Sequence, residues 1–266
     1  MKKVLVYGMA DLEPYINWVY FYHAWGLNGK PQSEKDQLRH EALLMLRSWD
    51  GDYYARALFG LFPANSDGDD LVVDGTRLPM LRQQQARPGQ PCLCLADFVR
   101  PLSQGVRDTV GVFCTSVDAA IATRYKDDAY ERMLSQVLCD RLAEAAAERM
   151  HEEVRRRYWG YAPHEHLTME QTHNEEYQGI RPAVGYPSLP DASINFVLDR
   201  LLGFAQIGVR LTPSGMMVPH ASVSGLMLAH PESRYFALGE IGEDQIRDYA
   251  RRRGLPVELV RKFIVK

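Results

Sequence analysis

The sequence predicts an α+β fold, in which helices and strands follow one another without regular alternation. The absence of a repeating strand-helix unit argues against a doubly wound parallel sheet. Residues 129–158 carry the strongest helical signal, because they are rich in Ala, Leu, Glu and Arg and contain no Gly or Pro. With 266 residues, 46% of them hydrophobic, the chain is long and apolar enough to bury a substantial core. We expect one continuous domain over residues 1–266.

The first part of the chain contains one predicted helix and several short apolar segments. Residues 33–49 have the spacing of an amphipathic helix, after an aromatic-rich stretch at residues 15–25. The β-branched residues around 71–73 and 110–115 predict strands. Two further short apolar segments lie at residues 53–62 and 94–98.

The helix predicted at residues 129–158 would be about 45 Å long at a rise of about 1.5 Å per residue. Asp140 and Glu144 are four residues apart and share one face of it, with His151 further along the same stripe. A carboxylate pair in this position either borders a cleft or forms a solvated ridge, and the pattern alone leaves both interpretations open.

The last third of the chain begins with a helix that Asp191 or Ser193 is predicted to cap and Gly203 to end. Strand-like and helical segments follow it. The predicted strands are residues 208–211, 222–228 and 235–238, and the predicted helices are residues 243–253 and 257–266.

Composition excludes several classes of function. The 31 Lys and Arg against 34 Asp and Glu give a net charge of -3, so no broad basic field exists to attract nucleic acid. No apolar run is long enough for a membrane helix and no signal peptide is evident, so we expect a cytoplasmic protein. The four cysteines have neither metal-binding nor disulfide spacing.

Two other motifs offer weak chemical signals. His164, His166 and His173 invite a zinc hypothesis, but they fall in a polar loop without an obvious fourth ligand, and we predict no metal site. The run from Ala221 to Gly225 resembles a nucleophile elbow only superficially, because the motif needs Gly at position 221. Phosphate-cradling glycine motifs are absent from the sequence.

A loop rich in Pro and Gly, residues 177–190, is the strongest candidate for a binding site. Its prolines and glycines enforce an extended, irregular path. Arg181, between Gly179 and Pro182, is suited to a two-pronged grip on a carboxylate, and Tyr186 could lay its ring near a cationic group. We expect Arg181 to be exposed in the pocket and to contribute little to the unliganded fold. A rigid surface turn is the alternative.

The run Tyr177-Gln-Gly-Ile-Arg-Pro-Ala-Val-Gly-Tyr-Pro resembles the S-adenosylmethionine-binding loop of the activation domain of cobalamin-dependent methionine synthase. It differs from the family pattern YQGIRPAPGYP only at Val184. Further segments agree in family order from about Leu12 onward, so residues 1–11 are interpreted as an N-terminal extension. These segments begin at Gly60 (GLFPAN), Cys94 (CLADF), Asp140 (DRLAEA), Tyr158 (YWGYAP), Ala221 (ASVSG), His230 (HP) and Asp248 (DYARR).

The resemblance implies a C-shaped α+β domain with a central twisted antiparallel sheet flanked by helices. It also assigns roles to residues. Arg181 would hold the ligand carboxylate, with the other ligand contacts at Ala183, Tyr186, Tyr235, Phe236, Asp140 and Asn17. Glu144 and Glu175 match carboxylates close to the methyl donor and the cobalamin face, and they are the predicted catalytic residues.

The sequence also departs from the family pattern. Asn17 replaces an Asp that contacts the ligand, which would weaken binding by roughly 1.5 to 3 kcal/mol. The other replacements are Val184 for Pro, Leu189 for Cys, Ala192 for His and Phe236 for Tyr. Neither the cobalt-ligating motif D-x-H-x-x-G nor a homocysteine zinc site occurs, so the chain is not expected to run the methyl-transfer cycle alone.

The resemblance therefore predicts a module that presents S-adenosylmethionine to cob(II)alamin held by a separate cobalamin-binding module, for reductive methylation. A flavodoxin-like or other reductase is a possible further partner. A divergent, non-catalytic subunit or chaperone that binds a corrinoid protein is the alternative, favoured by Asn17 and Ala192. An independent methyltransferase is a third interpretation. It is opposed by the absence of the glycine-rich nucleotide loop that is usual in Rossmann-type enzymes of this sort.

Overall fold

The protein is described here from a computed structural model that covers residues 1–264. Within that range, six strands form an antiparallel sheet in the order β4-β3-β2-β5-β8, with β1 paired to β2, and β6 and β7 form a separate two-stranded ribbon. Helices flank the sheet, which confirms the α+β prediction. The strands are β1 (Lys2–Tyr7), β2 (Ala55–Asp67), β3 (Asp70–Val73), β4 (Thr76–Pro79), β5 (Asp108–Val117), β6 (Arg210–Leu211), β7 (Met217–Val218) and β8 (Ser222–Met227).

The centre of the sheet is the long pairing of β2 with β5, which runs from Ala55 opposite Val117 to Ala64 opposite Asp108. Successive residues of a strand point to opposite faces, so Leu58 and Phe59 enter two different apolar cores. The sheet is therefore buried on both faces, and the two cores hold helices from different parts of the chain.

The first residues of the chain belong to this sheet. Strand β1 is antiparallel to β2, with Lys2 opposite Gly60 and Tyr7 opposite Ala55. Residues 2–7, interpreted from the sequence as part of an extension, thus supply an edge strand to the fold.

The helices agree closely with the sequence prediction. The segments at residues 33–49, 129–158 and 243–253 all form helices, and the last two residues of the predicted C-terminal helix lie outside the described range. The α-helices are α1 (Met9–Leu12), α2 (Trp18–Ala24), α3 (Gln32–Arg47), α4 (Ile121–Arg124), α5 (Ala129–Glu153), α6 (Met169–His173), α7 (Ile194–Leu202), α8 (Glu243–Arg253) and α9 (Val257–Phe263).

Helix α5 carries two of the predicted site residues, Asp140 and Glu144. Asp128 begins it by accepting a 2.8 Å hydrogen bond from the amide of Glu131. Its buried face, rich in Ala and Leu, packs on the sheet, and the hydroxyl of Thr115 on β5 donates a 2.9 Å bond to the carbonyl of Ala143. The helix continues as a π-helical turn at Val154–Tyr158, which the sequence did not predict.

Ser193 is the N-cap residue of α7, within the predicted pair, but its side chain makes no capping hydrogen bond. Asp191 accepts a 2.8 Å hydrogen bond from the Ser193 amide through Oδ1 and a 2.7 Å bond from the hydroxyl of buried Tyr249 through Oδ2. One local prediction in the last third was wrong. Residues 235–238 form no strand, and among the backbone groups of this segment Leu238 N bonds to Pro187 O at 3.1 Å. Gly203 does end α7, in the left-handed conformation with φ 84°.

No helix formed by residues 1–264 combines the length and the apolar character needed to cross a membrane.

Candidate functional site

A cleft of about 520 Å³ lies between α5 and the loop that contains Arg181. Most of the predicted site residues line it, although they come from four separate parts of the sequence. The predicted residues in the cleft are Asn17, Glu144, Glu175, Arg181, Ala183, Tyr186, Tyr235 and Phe236. The lining residues that sequence analysis did not select include Tyr15, Tyr20, Arg141, Glu148, His173 and Tyr177.

The Arg181 loop is attached to the sheet along strand β8. Ile180 and Leu228 exchange two 2.9 Å backbone hydrogen bonds, and Val184 N donates to Ser224 O at 2.9 Å. Gly179 has φ 89°, and a Cβ on it would lie 2.6 Å from the carbonyl oxygen of Leu228. Glycine is therefore required where the loop meets the sheet. Backbone hydrogen bonds to β8 therefore hold the loop in its extended, irregular path.

Arg181 is buried at the floor of the cleft, with only 9% of its side chain exposed. Its Nη2 donates a 3.0 Å hydrogen bond to Oε2 of Glu148, and its backbone N–H donates at 2.8 Å to the hydroxyl of Tyr235. Within the part of the chain that the structure describes, its Nε has no hydrogen-bond partner. The prediction of an exposed Arg181 was wrong, because Glu148 supplies a counterion that makes burial of the guanidinium tolerable.

Glu144 and Tyr186 form a polar pair on opposite sides of the cleft. The Tyr186 hydroxyl donates a 2.6 Å hydrogen bond to Oε1 of Glu144. Partial burial, and then the charge of Glu144, raise the pKa of the Tyr186 phenol, so it stays protonated and remains a donor. Half of the Tyr186 side chain is exposed, at 50%, so its ring is available to a ligand.

Glu175 lies at the edge of the cleft in a backbone conformation unusual for its residue type, with φ 60°. Desolvation of its carboxyl group, followed by the charge of Glu148, raises its pKa, while Arg181 acts in the opposite direction. Glu175 therefore takes up a proton more readily than an ordinary glutamate, and a nearby cationic group would favour its ionised form.

Asn17 lines the cleft but already has a structural task. Its side-chain oxygen accepts a 3.1 Å hydrogen bond from the amide of Val19 and caps α2. The side chain carries no charge, so at this position the cleft lacks the carboxylate that the family pattern has.

Tyr235 and Phe236 border the cleft from an irregular segment. The Tyr235 hydroxyl contacts the backbone of Arg181 and lies 3.2 Å from the hydroxyl of Tyr177. Phe236 packs edge-on against Phe98, with ring centroids 6.4 Å apart. Tyr235 thus fixes the Arg181 loop, a role that its aromatic residue type alone did not reveal.

Asp140 is the one predicted site residue that does not line the cleft. It borders a neighbouring cavity of about 340 Å³, where its Oδ1 lies 3.2 Å from Nδ1 of His220. Glu144 and Tyr186 line both cavities. Asp140 is therefore one helical turn from the site, on the far side of the Glu144–Tyr186 hydrogen bond.

The histidines of the zinc hypothesis are not brought together as a ligand set. His173 lines the cleft, whereas His164 and His166 do not. Among residues 1–264, no group of three or more His, Cys, Asp or Glu side chains has an arrangement that could hold a metal ion.

Glu148 lines the cleft beside Arg181, and it was not among the residues predicted from the sequence. Its side chain is only 13% exposed, and it contacts the guanidinium of Arg181. It follows Glu144 by four residues on α5, so helical spacing places the two carboxylates on the same face. That spacing was the one available signal, but it does not distinguish a buried partner from another charge on a solvated ridge.

Comparison with known proteins gives matches over nearly the whole chain. Residues 8–254 match the family model described as vitamin B12 dependent methionine synthase, activation domain. The chain is also similar to a solved structure described as the MetH reactivation domain bound to AdoHcy, with 36% sequence identity and a TM-score of 0.92. That similarity covers 99% of this chain and 89% of the other.

Proposed function

This chain belongs to the family of vitamin B12 dependent methionine synthase activation domains, and we propose that it binds S-adenosylmethionine in the cleft around Arg181 and presents it to cobalamin held by a separate module. The observation that carries the proposal is the side chain of Arg181. It is a buried guanidinium in a cleft lined by carboxylates, and its Nε has no hydrogen-bond partner among residues 1–264.

The cleft suits a ligand that carries one negative and two positive groups. Arg181 offers N–H donors to an amino-acid carboxylate. Glu144 and Glu175 supply negative charge for the ammonium and sulfonium groups, and the ring of Tyr186 offers an aromatic face to a cation. The family resemblance adds Ala183, Tyr235 and Phe236 as contacts to the rest of the ligand. The solved relative is described as bound to AdoHcy, the demethylated counterpart of this ligand.

Cobalamin, held by the separate module, supplies the cobalt that takes up the methyl group. The residues of this chain have the tasks of binding the methyl donor, fixing its orientation and keeping water from the reacting groups. Glu144 and Glu175 line the cleft, and the family resemblance matches them to carboxylates close to the methyl donor and the cobalamin face. We propose that they act there on the charge of the donor, without forming a covalent bond.

Methylation of oxidised cobalamin consumes one electron, so the proposal needs an electron donor as well. We propose a flavodoxin-like or other reductase in the cytoplasm as its source. Asp140, expected from the resemblance to contact the ligand, borders the cavity next to the cleft, and we propose that it meets the cobalamin module there.

Titration calorimetry with S-adenosylmethionine tests the proposal directly. We expect measurable but weak binding, because Asn17 leaves the cleft without one carboxylate. Binding of S-adenosylhomocysteine in the same cleft should compete with it. If neither ligand releases heat or displaces the other at high concentration, the chain is not a donor-binding module.

A divergent subunit that binds a corrinoid protein without binding the methyl donor is the second candidate. Asn17 and Ala192 favour it, because both replace polar residues of the family pattern. The two candidates predict different outcomes in one experiment. A subunit of this kind would associate with a cobalamin-binding module whether or not S-adenosylmethionine is present, and would give no calorimetric signal with the ligand alone.

A further inference from the structure

Beneath the cleft lies a second arginine that the proposed function does not use. The Arg155 side chain is fully buried, at 0% exposure, in the π-helical turn that follows α5. Its Nε and Nη2 bond to the carboxylate of Glu165 at distances between 2.7 and 3.1 Å. Its guanidinium also lies 4.1 Å from the ring centroid of Tyr177. Arg155 is thus held on several sides and cannot easily change its position.

His151 holds the remaining end of this guanidinium. Arg155 Nη1 and His151 Nδ1 are 2.8 Å apart, and His151 is completely buried. Burial, and then the charges of Arg155 and Arg181, lower the pKa of His151, so the imidazole is neutral and its Nδ1 accepts the hydrogen bond. The histidine therefore restrains Arg155 without adding another positive charge.

Glu148 lies between the two arginines. Its Oε2 accepts the 3.0 Å hydrogen bond from Nη2 of Arg181. Its Oε1 lies 4.0 Å from Nη1 of Arg155 and accepts no hydrogen bond from any residue that the structure describes. Attraction to the immobile Arg155 on one side fixes the direction in which the other carboxylate oxygen points. That oxygen, Oε2, in turn accepts a hydrogen bond from one nitrogen of Arg181, Nη2.

Charge in this layer is balanced by two carboxylates and two guanidinium groups. The carboxylates are Glu148 and Glu165, and the guanidinium groups belong to Arg155 and Arg181. Removal of the Glu148 charge would leave Arg181 buried beside Glu144 and Glu175. The charge of Glu144 already acts on Arg181, and the charge of Arg181 already acts on Glu175. Arg181 would then be drawn across the cleft, into the space that a ligand needs.

We propose that Glu148, itself held by Arg155, is a positioning residue that fixes the Arg181 guanidinium for a ligand carboxylate. The inference rests on the proposed function, because it assigns Arg181 to the carboxylate of S-adenosylmethionine. It adds residues on the protein side of Arg181 that act on the ligand by fixing the direction in which the Arg181 N–H donors point.

The test compares Glu148→Gln with the unchanged chain in two titrations. One ligand is S-adenosylmethionine, and the other is 5′-methylthioadenosine, which lacks the amino-acid carboxylate. Glu148→Gln should weaken binding of S-adenosylmethionine by about tenfold, the effect expected when a charge-assisted contact is misaligned. Binding of 5′-methylthioadenosine should change by less than about twofold, since it makes no use of Arg181.

A double-mutant cycle with Arg181→Lys identifies the route of the effect. Lysine keeps the positive charge but removes the planar fork, so Glu148→Gln should cause little further loss of affinity in that background. Glu153→Gln is the matched control. Glu153 is also on α5 and accepts a 2.9 Å hydrogen bond from Tyr7, but it does not line the cleft.

Failure of the inference is distinct from failure of the proposed function. If the unchanged chain does not bind S-adenosylmethionine, both fall. If it binds and Glu148→Gln binds equally well, or loses both ligands in equal measure, Glu148 has no positioning role while the proposed function stands. Should Glu148→Gln fail to fold, Glu148→Asp, which keeps the charge on a shorter side chain, carries the same comparison of two ligands.

Discussion

The carbonyl oxygen of Pro182 lies against the Cα of Gly225, so closely that a Cβ on the glycine would be 2.2 Å from that oxygen. Pro182 O also accepts a 3.0 Å hydrogen bond from the amide of Leu226. The loop that carries Arg181 therefore lies on strand β8 as an additional, irregular strand. Its position depends on a glycine more than 40 residues away in the sequence.

Gly225→Ala should displace this loop. The added methyl group meets backbone atoms of Pro182 and Ala183, which cannot rotate away as a side chain would. We expect a loss of about 1–3 kcal/mol in the free energy of unfolding and loss of S-adenosylmethionine binding. Chemical denaturation and calorimetry measure the two effects. Gly8→Ala is the control, since its Cβ would be 3.3 Å from a side-chain oxygen of Asp50. Normal binding by Gly225→Ala would show that the loop tolerates the shift.

The sequence predicted the fold well where local preferences decide the structure, and less well where contacts between distant segments decide it. Helix α5 was predicted because its residues favour a helix and no Gly or Pro interrupts them. The segment at residues 235–238 was predicted as a strand from its apolar residues. It forms none, because its neighbour is the irregular Arg181 loop and not a strand with which it could form a ladder.

The candidate site was predicted only as far as the family pattern extends. The pattern identified Arg181, Glu144 and Tyr186, which the structure brings together in one cleft. It did not indicate that Arg181 is buried on Glu148, because the burial of a charged residue depends on tertiary contacts between distant segments. Hydrophobic periodicity carries no information about such a pair.

Substitutions of Arg181 should separate its structural role from its binding role. Arg181→Ala leaves Glu148 largely buried with only Arg155 nearby, at 4.0 Å. We expect it to lower the free energy of unfolding by about 2 kcal/mol, less than for a fully isolated buried charge because Arg155 partly compensates. Arg181→Lys should stay closer to normal stability and still bind S-adenosylmethionine poorly, because a lysine lacks the planar fork. Denaturation and calorimetry on both variants check this. Equal stability of Arg181→Ala and the unchanged chain would contradict it.

The raised pKa of Glu175 predicts a pH-dependent difference between the unchanged chain and Glu175→Gln. A carboxyl group with a raised folded pKa stabilises the folded state while it is protonated. For Glu175 this contribution is complete below about pH 4.5, its ordinary pKa, and it is lost as pH rises through the folded pKa. Glutamine cannot ionise and keeps the contribution. Glu175→Gln should therefore gain in stability relative to the unchanged chain as pH rises from 4 to 7, measured by urea denaturation.

Glu152→Gln is a control with the opposite sign. Burial opposes ionisation of Glu152, but hydrogen bonds from Tyr15 and Arg156 outweigh it and lower its pKa. Its contribution is present above pH about 4.5 and is lost as pH falls through the lowered folded pKa. Glu152→Gln should be less stable than the unchanged chain near pH 7, and the difference should shrink in acid. Parallel pH profiles for the two variants would show that at least one of the two carboxyl groups lacks the environment described.

Asn17→Asp should tighten S-adenosylmethionine binding. Aspartate is as good a helix cap as asparagine, so the hydrogen bond to Val19 and the start of α2 should survive. The second carboxylate oxygen adds a negative charge to the cleft for a cationic ligand. We expect affinity to rise by about tenfold or more, measured by calorimetry. Asn17→Ala, which loses the cap and gains no charge, should lower stability by about 1 kcal/mol without tightening. Tighter binding of S-adenosylmethionine by Asn17→Ala would show that the effect comes from the helix cap and not from the added charge.

The last prediction concerns docking to a cobalamin-binding module that carries the D-x-H-x-x-G motif. This chain contains no such motif, yet Glu144 and Glu175 line the cleft that the module would have to cover. A cofactor state can shift docking only through contacts that differ between the states, and these carboxylates are the groups available for such contacts. Association should therefore be tighter when the module holds cob(II)alamin than when it holds methylcobalamin.

The double variant Glu144→Gln, Glu175→Gln should lose that preference, while Glu153→Gln, on the same helix as Glu144 but away from the cleft, should keep it. Sedimentation titration with both forms of the module measures the two affinities. Negligible association in both forms would exclude a domain that acts on a separate cobalamin module.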